Sequence, residues 1–215
     1  MTKGVLWDLD GTLVDSEAFH WQSWQHALAA DGVRVSYDQF KASFGQRNDR
    51  ILRVWLRPDA SDERINRIAD AKEVEYRRLA EVHGLTPLPG AAEWLGRLQK
   101  HGWRQAIASS APRLNVEVML RALHLTPYFD ALVTSEDVVH GKPDPEVFLT
   151  AAARLSVQPS RAIVVEDAAA GIEAARRAGM PSVGVSATAA LDADVSVTSL
   201  ADLPADTFDR LLPRT

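Results

Sequence analysis

The sequence predicts an α/β fold: a doubly wound parallel sheet with a small helical cap domain inserted after the first strand. The first observation is a set of four short, mostly apolar runs, at 4–7, 105–108, 131–134 and 162–165. Such runs are typical of strands buried on both faces of a parallel sheet. Helical patterns separate the runs from residue 90 onward, and this alternation predicts right-handed crossovers. A helix-rich segment interrupts it after the first run.

The boundaries of the helices around the sheet follow from local signals. We predict helices at 91–100, 113–123, 146–155 and 171–178, and two further strands at 182–185 and 194–197. Pro112 precedes the second of these helices, and proline suits the first helical position. Gly179 follows the fourth, where a glycine commonly ends a helix.

The segment after the first strand contains no convincing strand. We predict its helices at 17–30, 37–44, 49–56 and 62–82. The chain returns to the sheet region at Pro87-Leu88-Pro89-Gly90. We therefore divide the chain into a catalytic core, residues 1–15 and 87–215, and a helical cap, residues 16–86.

The composition excludes several kinds of function. Of the 215 residues, 46% are hydrophobic and 25% charged, which suffices for one core with a small appended domain. The net charge of -5 gives no basic footprint for nucleic acid, and zero Cys excludes disulfides, a thiol nucleophile and thiolate metal sites. No run approaches the roughly 18 apolar residues of a membrane span, and no signal-peptide pattern is present. We expect a cytoplasmic monomer without nucleic-acid or membrane partners.

Chemically active side chains follow the predicted strands. The groups that follow them in order are Asp8-Leu9-Asp10-Gly11-Thr12, Ser109-Ser110, Gly141-Lys142-Pro143 and Glu166-Asp167. Ligands of open α/β sheets bind outside the carboxyl ends of the strands, so these groups are expected to converge at one edge. Four acids, a serine pair and a lysine there predict a phosphate-and-metal site.

The first group admits more than one interpretation. Asp8 and Asp10 are two residues apart, so their side chains point the same way in an extended chain. One can then bind a metal and attack phosphorus while the other handles a proton, and Gly11 lets the backbone approach the phosphate. An isolated Asp-Gly pair is more often a turn or a helix cap. A calcium loop is excluded because its required Gly and Glu positions hold Leu13 and Phe19.

The other groups also have ordinary structural interpretations. Glu166 and Asp167 suit Mg²⁺ when combined with the first pair, but alone they are equally suited to capping a helix. Lys142 can neutralise a phosphate, although a lysine before proline is usually a solvated turn residue. Ser109 and Ser110 can donate to an anion or simply cap the helix that follows. Their order, each after a strand, favours the functional interpretation.

The four motifs together resemble those of a known family, the haloacid dehalogenase (HAD) superfamily. The helical insert after the first motif is similar to that superfamily's small cap. Within the superfamily, the sequence most resembles the β-phosphoglucomutase-like branch, which includes sugar-phosphate phosphatases. The resemblance runs from Val5 to about Val185 and includes Gly141-Lys142-Pro143-Asp144-Pro145 and Glu166-Asp167-Ala168-Ala169-Ala170-Gly171-Ile172. It implies a Rossmann-like core and a Mg²⁺ cofactor.

The resemblance also implies roles for the two aspartates of the first motif. Asp8 is the expected nucleophile and a metal ligand. Asp10 is expected to protonate the leaving alcohol and then to deprotonate the hydrolytic water, while its backbone carbonyl contacts the metal. The first of these steps needs a protonated Asp10, and we expect neighbouring negative charges to raise its pKa.

The resemblance implies roles for the residues of the remaining motifs as well. Ser109 is expected to hydrogen-bond the transferring phosphoryl group, and Lys142 to neutralise it. Asp167, together with Glu166, is expected to hold Mg²⁺. These roles agree with phosphoryl transfer, which depends mainly on positioning and charge neutralisation.

The cap residues are less well determined by the sequence. His20 lies on the first cap helix where the mutases of the branch carry a His, so it is either a substrate contact or a packed cap histidine. Lys72 resembles a cap lysine of the branch, although the ordinary interpretation is a solvated helix face. Three tryptophans are expected to pack in the cap core: Trp21, Trp24 and Trp55.

Three departures from the branch favour a phosphatase over a mutase. Thr12 stands where the mutases have Val. The mutases follow the motif serine with a Ser-Lys-Asn cluster for the second phosphate, whereas here Ala111-Pro112-Arg113 leaves only Arg113. Their cap loop has an Arg after Gly-x-Ser, whereas Gly45-Gln46-Arg47-Asn48 shifts the charge to Arg47. Whether Arg47 and Arg113 form a second anion site is left open by the sequence.

The sequence thus predicts a Mg²⁺-dependent phosphatase acting on a sugar, polyol or other small phosphate ester through an aspartyl-phosphate. The leading alternative is a β-phosphoglucomutase-like mutase. A non-catalytic binding module on the same fold is disfavoured because Asp8, Asp10, Lys142 and Asp167 are all present. A dehalogenase is disfavoured because it has no use for a Mg²⁺ carboxylate set.

Overall fold

The structure, a computed structural model, describes residues 2–188 and 190–212. Within them, six strands form one parallel sheet: Gly4–Trp7 (β1), Arg104–Ala108 (β2), Ala131–Val133 (β3), Ala162–Glu166 (β4), Ser182–Val185 (β5) and Val195–Val197 (β6). The strand order is β3-β2-β1-β4-β5-β6. The chain winds outward from β1 in one direction and then returns to build the other half. The predicted doubly wound parallel sheet is therefore confirmed.

Nine α-helices accompany this sheet in the described residues. They are Glu17–Ala30 (α1), Tyr37–Ser43 (α2), Asn48–Trp55 (α3), Asp62–His83 (α4), Ala91–Lys100 (α5), Arg113–Ala122 (α6), Glu146–Arg154 (α7), Ala169–Arg177 (α8) and Thr207–Leu211 (α9). The predicted helices agree with these bounds to within about two residues, the usual scatter at helix ends. Helix α9 is not predicted by the sequence, because so short a helix shows little periodicity. None of the described helices is long and apolar enough to cross a bilayer.

Both faces of the sheet are buried. Along β1, Val5 and Trp7 pack into one hydrophobic cluster and Leu6 into another, as the alternation of side chains along a strand requires. Helices α5, α6 and α9 cover the first face, and α7 and α8 cover the second. This double burial explains why the strands are apolar along their whole length.

Helices α1 to α4 have a hydrophobic cluster of their own. Trp24 and Leu28 of α1 pack there with Leu52 of α3 and with Ile65 and Ile68 of α4. The tryptophans expected in the cap core are in this cluster, Trp24 buried and Trp21 and Trp55 at its edge. The segment therefore has enough apolar contact to hold its helices together.

The two connections between the helical segment and the sheet region run side by side. Val14 forms an antiparallel bridge with Pro87, and the N–H of Asp15 donates to the carbonyl of Thr86 at 3.2 Å. This is where the sequence places the domain boundary. The division itself stays a prediction, and residues 1, 189 and 213–215 of the predicted core lie outside the described residues.

Candidate active site

The topology gathers the predicted site residues at the carboxyl end of the sheet. Strand β1 lies between β2 and β4, with Trp7 in register with Ile107 on one side and Val165 on the other. Asp8, the next residue, is therefore level with Ala108, the last residue of β2, and with Glu166, the last residue of β4. Ser109 follows one residue further along. The strand order changes direction at β1, the position where open α/β sheets bind ligands.

Lys142 joins two buried carboxylates at this edge. Its Nζ donates to Asp8 Oδ1 at 2.5 Å and to Glu166 Oε1 at 2.7 Å, and all three residues are buried. Burial opposes the charge of Lys142, but the two carboxylates outweigh it and raise the pKa of Lys142 above its ordinary value. A Cβ at Gly171 would lie 1.8 Å from Glu166 Oε1, so a glycine is required there. The ordinary interpretation of Lys142 as a solvated turn residue is wrong.

Asp167 lies against the loop that follows β1. Its Oδ1 accepts from Thr12 Oγ1 at 3.2 Å. Gly11 has a φ of +83°, which favours glycine, and a Cβ there would lie 2.3 Å from Asp167 Oδ2. The glycine thus allows the second acidic motif to approach the first. Neither Glu166 nor Asp167 is the N-cap of α8, which is Ala168. Glu166 Oε2 does accept from the N–H of Ala168 at 2.8 Å, so this carboxylate contacts the start of the helix as well as Lys142.

The carboxylates of this site carry more negative charge than Lys142 neutralises. Burial raises the pKa of Asp8 to about 7, with Lys142 opposing the shift and Glu166 adding to it. Burial, followed by the charges of Glu166 and Asp8, raises the pKa of Asp167 well above its usual range. Surplus negative charge on hard oxygen donors is the environment that suits Mg²⁺. The donor set at Asp8 and Asp167 therefore fits the implied cofactor.

The side chains of the four residues predicted to bind the metal, Asp8, Asp10, Glu166 and Asp167, do not form one set of ligands. Within residues 2–188 and 190–212, no group of three or more His, Asp or Glu side chains is arranged to hold a metal ion. Lys142 lies between Asp8 and Glu166, and the carboxylate of Asp10 is turned toward Ser16. The backbone carbonyl of Asp10, the group that the resemblance implied, therefore stays the predicted contact with the metal.

Asp10 faces the helical segment. Its Oδ1 accepts from Ser16 Oγ at 2.6 Å and from His20 Nε2 at 3.0 Å. Burial favours a raised pKa, but the charge of His20, the hydrogen bonds of His20 and Ser16, and the charge of Lys72 outweigh it and lower the pKa of Asp10. The expected increase in its pKa is therefore wrong for this arrangement, because the nearest charged groups are cationic.

His20 and Lys72 form a continuous chain of contacts to Asp10. Lys72 Nζ lies 2.9 Å from His20 Nδ1, and the ring of His20 stacks on Tyr76 with their centroids 4.2 Å apart. Lys72 also donates to Glu73 Oε1 at 2.8 Å and is only 2% exposed. The solvated helix face that is the ordinary interpretation of Lys72 is therefore wrong. Both predicted cap residues face the site.

Ser109 and Ser110 lie in the loop between β2 and α6. Ser109 is buried, and its Oγ accepts from the N–H of Ala111 at 3.0 Å. The N-cap of α6 is Pro112, without a side-chain hydrogen bond, so neither serine caps that helix. The capping alternative is wrong. Within residues 2–188 and 190–212 the hydroxyl of Ser109 donates to no protein group, so its hydrogen can donate to a ligand.

A cavity separates the strand ends from helices α1 to α4. Asp8, Asp10, Ser109 and Ser110 line it from the sheet side. The helical segment contributes the groups opposite: His20, Trp24, Phe44, Asn48, Lys72 and Glu73. Three of the four predicted catalytic residues, Asp8, Asp10 and Ser109, therefore face a space of which one wall is the predicted cap, and Lys142 lies behind Asp8.

The two predicted arginines are directed elsewhere. Arg47 Nη1 donates to the carbonyls of Ser135 and Val138 at 3.3 and 3.0 Å. Arg113 Nη2 donates to Asp137 Oδ2 at 2.6 Å. In the described residues, neither arginine is part of the wall of the cavity. Arg47 and Arg113 therefore do not form the predicted second anion site in this cavity.

Several polar residues of the site are not predicted from the sequence. Ser16 and Tyr76 contact Asp10, and Glu73 contacts Lys72. Tyr76 is four residues after Lys72, so the helical period could have placed both on one face. Ser16 and Glu73 carry no comparable signal, because their importance depends on packing between segments distant in sequence.

Comparison with known proteins places the chain in a family. The family model for haloacid dehalogenase-like hydrolases matches residues 5–185. The chain belongs to this family. The resemblance indicated by its four motifs is confirmed, and the chain is an enzyme of the family.

Individual family members differ in the reaction that their names state. The validoxylamine A 7'-phosphate phosphatase of Streptomyces hygroscopicus subsp. limoneus is 35% identical over 94% of this chain and 96% of its own length. The β-phosphoglucomutase of Bacillus subtilis (strain 168) is 33% identical over 94% of this chain and 91% of its own length. The crystal structure of CbbY from Rhodobacter sphaeroides in complex with phosphate superposes with a TM-score of 0.87 at 26% identity, covering 97% of this chain and all of that one. The family comparison thus leaves phosphatase and mutase as the two candidate activities.

Proposed function

We propose that the chain is a Mg²⁺-dependent phosphatase that hydrolyses a small phosphorylated metabolite, a sugar or polyol phosphate, through an aspartyl-phosphate on Asp8. The observation that carries the proposal is the buried cluster at the strand ends. Asp8 is held by Lys142, lies beside a second acidic motif and faces a cavity that also contains Ser109. Relatives named as phosphatases support the same class of reaction, hydrolysis of a phosphoric monoester.

The first step is attack on phosphorus. An oxygen of Asp8 forms the new P–O bond while the bond between phosphorus and the leaving alcohol breaks. Lys142 orients Asp8 and neutralises charge, and the hydroxyl of Ser109 donates to a phosphoryl oxygen. Bound Mg²⁺, held by Asp8 and Asp167 with the backbone carbonyl of Asp10, would offset charge on the phosphoryl oxygens.

The leaving oxygen needs a proton, and Asp10 is the group placed to give it. His20, Ser16 and Lys72 lower the pKa of Asp10 in this arrangement. A phosphate dianion brought next to Asp10 opposes that effect and favours the protonated form. In the second step a water attacks phosphorus and gives its proton to Asp10. The acyl-phosphate bond breaks, which releases phosphate and restores Asp8.

We propose that residues 16–86 act as a cap over this chemistry. Their helices supply one wall of the cavity, and two adjacent connections at 14–15 and 86–87 join them to the core. A cap of this kind excludes water and brings His20 to the acid-base group. Cytoplasmic location and a monomeric state remain predictions of the sequence.

A β-phosphoglucomutase-like mutase is the second candidate because a mutase is among the similar relatives. The placement of the arginines favours the phosphatase. A mutase must hold a bisphosphate, which needs cations at both ends of the cavity. Arg47 and Arg113 are instead bound to Ser135, Val138 and Asp137.

The test of function is a screen of phosphate monoesters with release of inorganic phosphate as the readout. We expect phosphate from hexose and polyol monophosphates. A β-hexose 1-phosphate, supplied with a trace of bisphosphate, should yield free phosphate rather than the 6-phosphate isomer. Net isomerisation without phosphate release would assign the enzyme to the mutases instead.

Removal of divalent metal provides a separate test of the cofactor. We expect EDTA to reduce phosphatase activity to background, because Asp8 and Asp167 cannot neutralise their own charge. Excess Mg²⁺ should restore the activity, and EDTA already saturated with Mg²⁺ is the control. Activity that survives exhaustive chelation would show that the carboxylates work without a metal.

A further inference from the structure

Glu73 is a buried carboxylate in the wall of the cavity that the proposed mechanism does not use. It lies on α4 and is 6% exposed. Its Oε1 accepts from Asn48 Nδ2 at 2.6 Å and from Lys72 Nζ at 2.8 Å, and its Oε2 accepts from Asn115 Nδ2. Burial alone would raise the pKa of Glu73, but the charges of Lys72 and His20 and these hydrogen bonds lower it. The group is therefore an anion in the cavity wall.

Hydrogen-bond acceptors remain unused at this point of the cavity. An ionised carboxylate offers about four acceptor positions, and three of those on Glu73 are taken. Asn48 also lines the cavity, and its Oδ1 has no partner in the part of the chain that the structure describes. The cavity thus offers two acceptors on α3 and α4 to a donor that enters it.

The same part of the cavity is poorly suited to a second phosphate. Glu73 would repel it, and the charge of Lys72 is already paired with Glu73. Trp24 and Phe44 line the cavity too and present apolar surface. Apolar surface with a few well-placed acceptors suits the carbon skeleton and hydroxyl groups of a polyol.

We infer that the cavity selects a monophosphate whose leaving group carries a hydroxyl donor remote from the phosphate, and that Glu73, assisted by Asn48, determines this selection. The inference rests on the proposed function, because it concerns the alcohol that the phosphatase releases. It names a specificity-determining residue on the cap, and it gives the substrate class as a polyhydroxylated monophosphate rather than a bisphosphate.

The experiment compares two esters on each protein: a hexitol 1-phosphate and n-hexyl phosphate, which has the same carbon chain without hydroxyls. For the unmodified enzyme we expect kcat/KM to favour the hexitol ester by about 100-fold or more, since a site built around a substrate hydroxyl rejects its deoxy analogue. Glu73→Gln should reduce this ratio at least about tenfold. Asn48→Ala should reduce it in the same direction.

The ratio is insensitive to partial misfolding, because both esters are measured on the same preparation. Glu75→Gln is the matched control, since Glu75 lies on the same helix and pairs with Arg78 instead. An unchanged ratio in both Glu73→Gln and Asn48→Ala, with a working unmodified enzyme, overturns this inference and leaves the proposed function standing. A higher kcat/KM of the unmodified enzyme for hexitol 1,6-bisphosphate, measured as a third ester, than for the hexitol 1-phosphate also overturns the inference. Failure of the unmodified enzyme to hydrolyse any monoester overturns the proposed function itself.

Discussion

Asp8→Asn is expected to lower kcat for every phosphate ester by at least about 10⁴-fold, the scale of effect found when a covalent nucleophile is removed. The amide has nearly the shape of the carboxylate, and its oxygen can still accept from Lys142 Nζ. The attacking anion is lost, however, so no aspartyl-phosphate forms. The measurement is phosphate release under saturating substrate and Mg²⁺.

The control for this variant is Asp209→Asn. Asp209 is an exposed residue that pairs with Lys3, so its neutralisation should leave kcat within twofold or so of the unmodified value. Comparable activity in Asp8→Asn and Asp209→Asn would mean that the phosphoryl group is transferred to some other acceptor.

Lys142→Met is expected to affect both stability and turnover. Methionine keeps most of the volume but leaves Asp8 and Glu166 buried without their shared cation. Breaking a buried ion pair in this way costs about 3–5 kcal/mol of unfolding free energy. Loss of a charge that stabilises the transferring phosphoryl group should also lower kcat by about 10²–10³-fold.

Unfolding by urea measures the loss of stability in Lys142→Met. The measurement is made in EDTA so that no metal replaces the missing charge. Lys100→Met is the matched control because Lys100 is exposed at the end of α5. That variant should change the unfolding free energy by less than about 0.5 kcal/mol. Equal stability of the two variants would show that Lys142 is not the neutralising partner that the distances indicate.

The sheet could be predicted from the sequence because strands that are buried on both faces consist almost entirely of apolar residues. Strands such as Gly4–Trp7 and Ala162–Glu166 are almost wholly apolar, and Asp8, Ser109 and Glu166 lie at or directly after the ends of such strands. The site residues of the core follow from the same logic. Parallel strands bring their carboxyl ends to one edge whatever the details of the intervening helices.

The contacts of the helical segment could not be predicted in this way. Lys72 and Glu73 are adjacent, charged and buried, and they neutralise each other inside the cavity wall. A charged pair of this kind resembles a solvated helix face when only the sequence is considered. The lowered pKa of Asp10 has the same origin, because it depends on how α1 and α4 meet the sheet.

Trapping the covalent intermediate tests the central claim most directly. In Asp10→Asn the nucleophile Asp8 remains, but no group activates the hydrolytic water. An aryl phosphate, whose leaving group needs no proton, should still phosphorylate this variant in the presence of Mg²⁺. After quenching in acid, mass spectrometry should find one added phosphate on the peptide that contains Asp8. Phosphate on Ser109 instead would contradict the account.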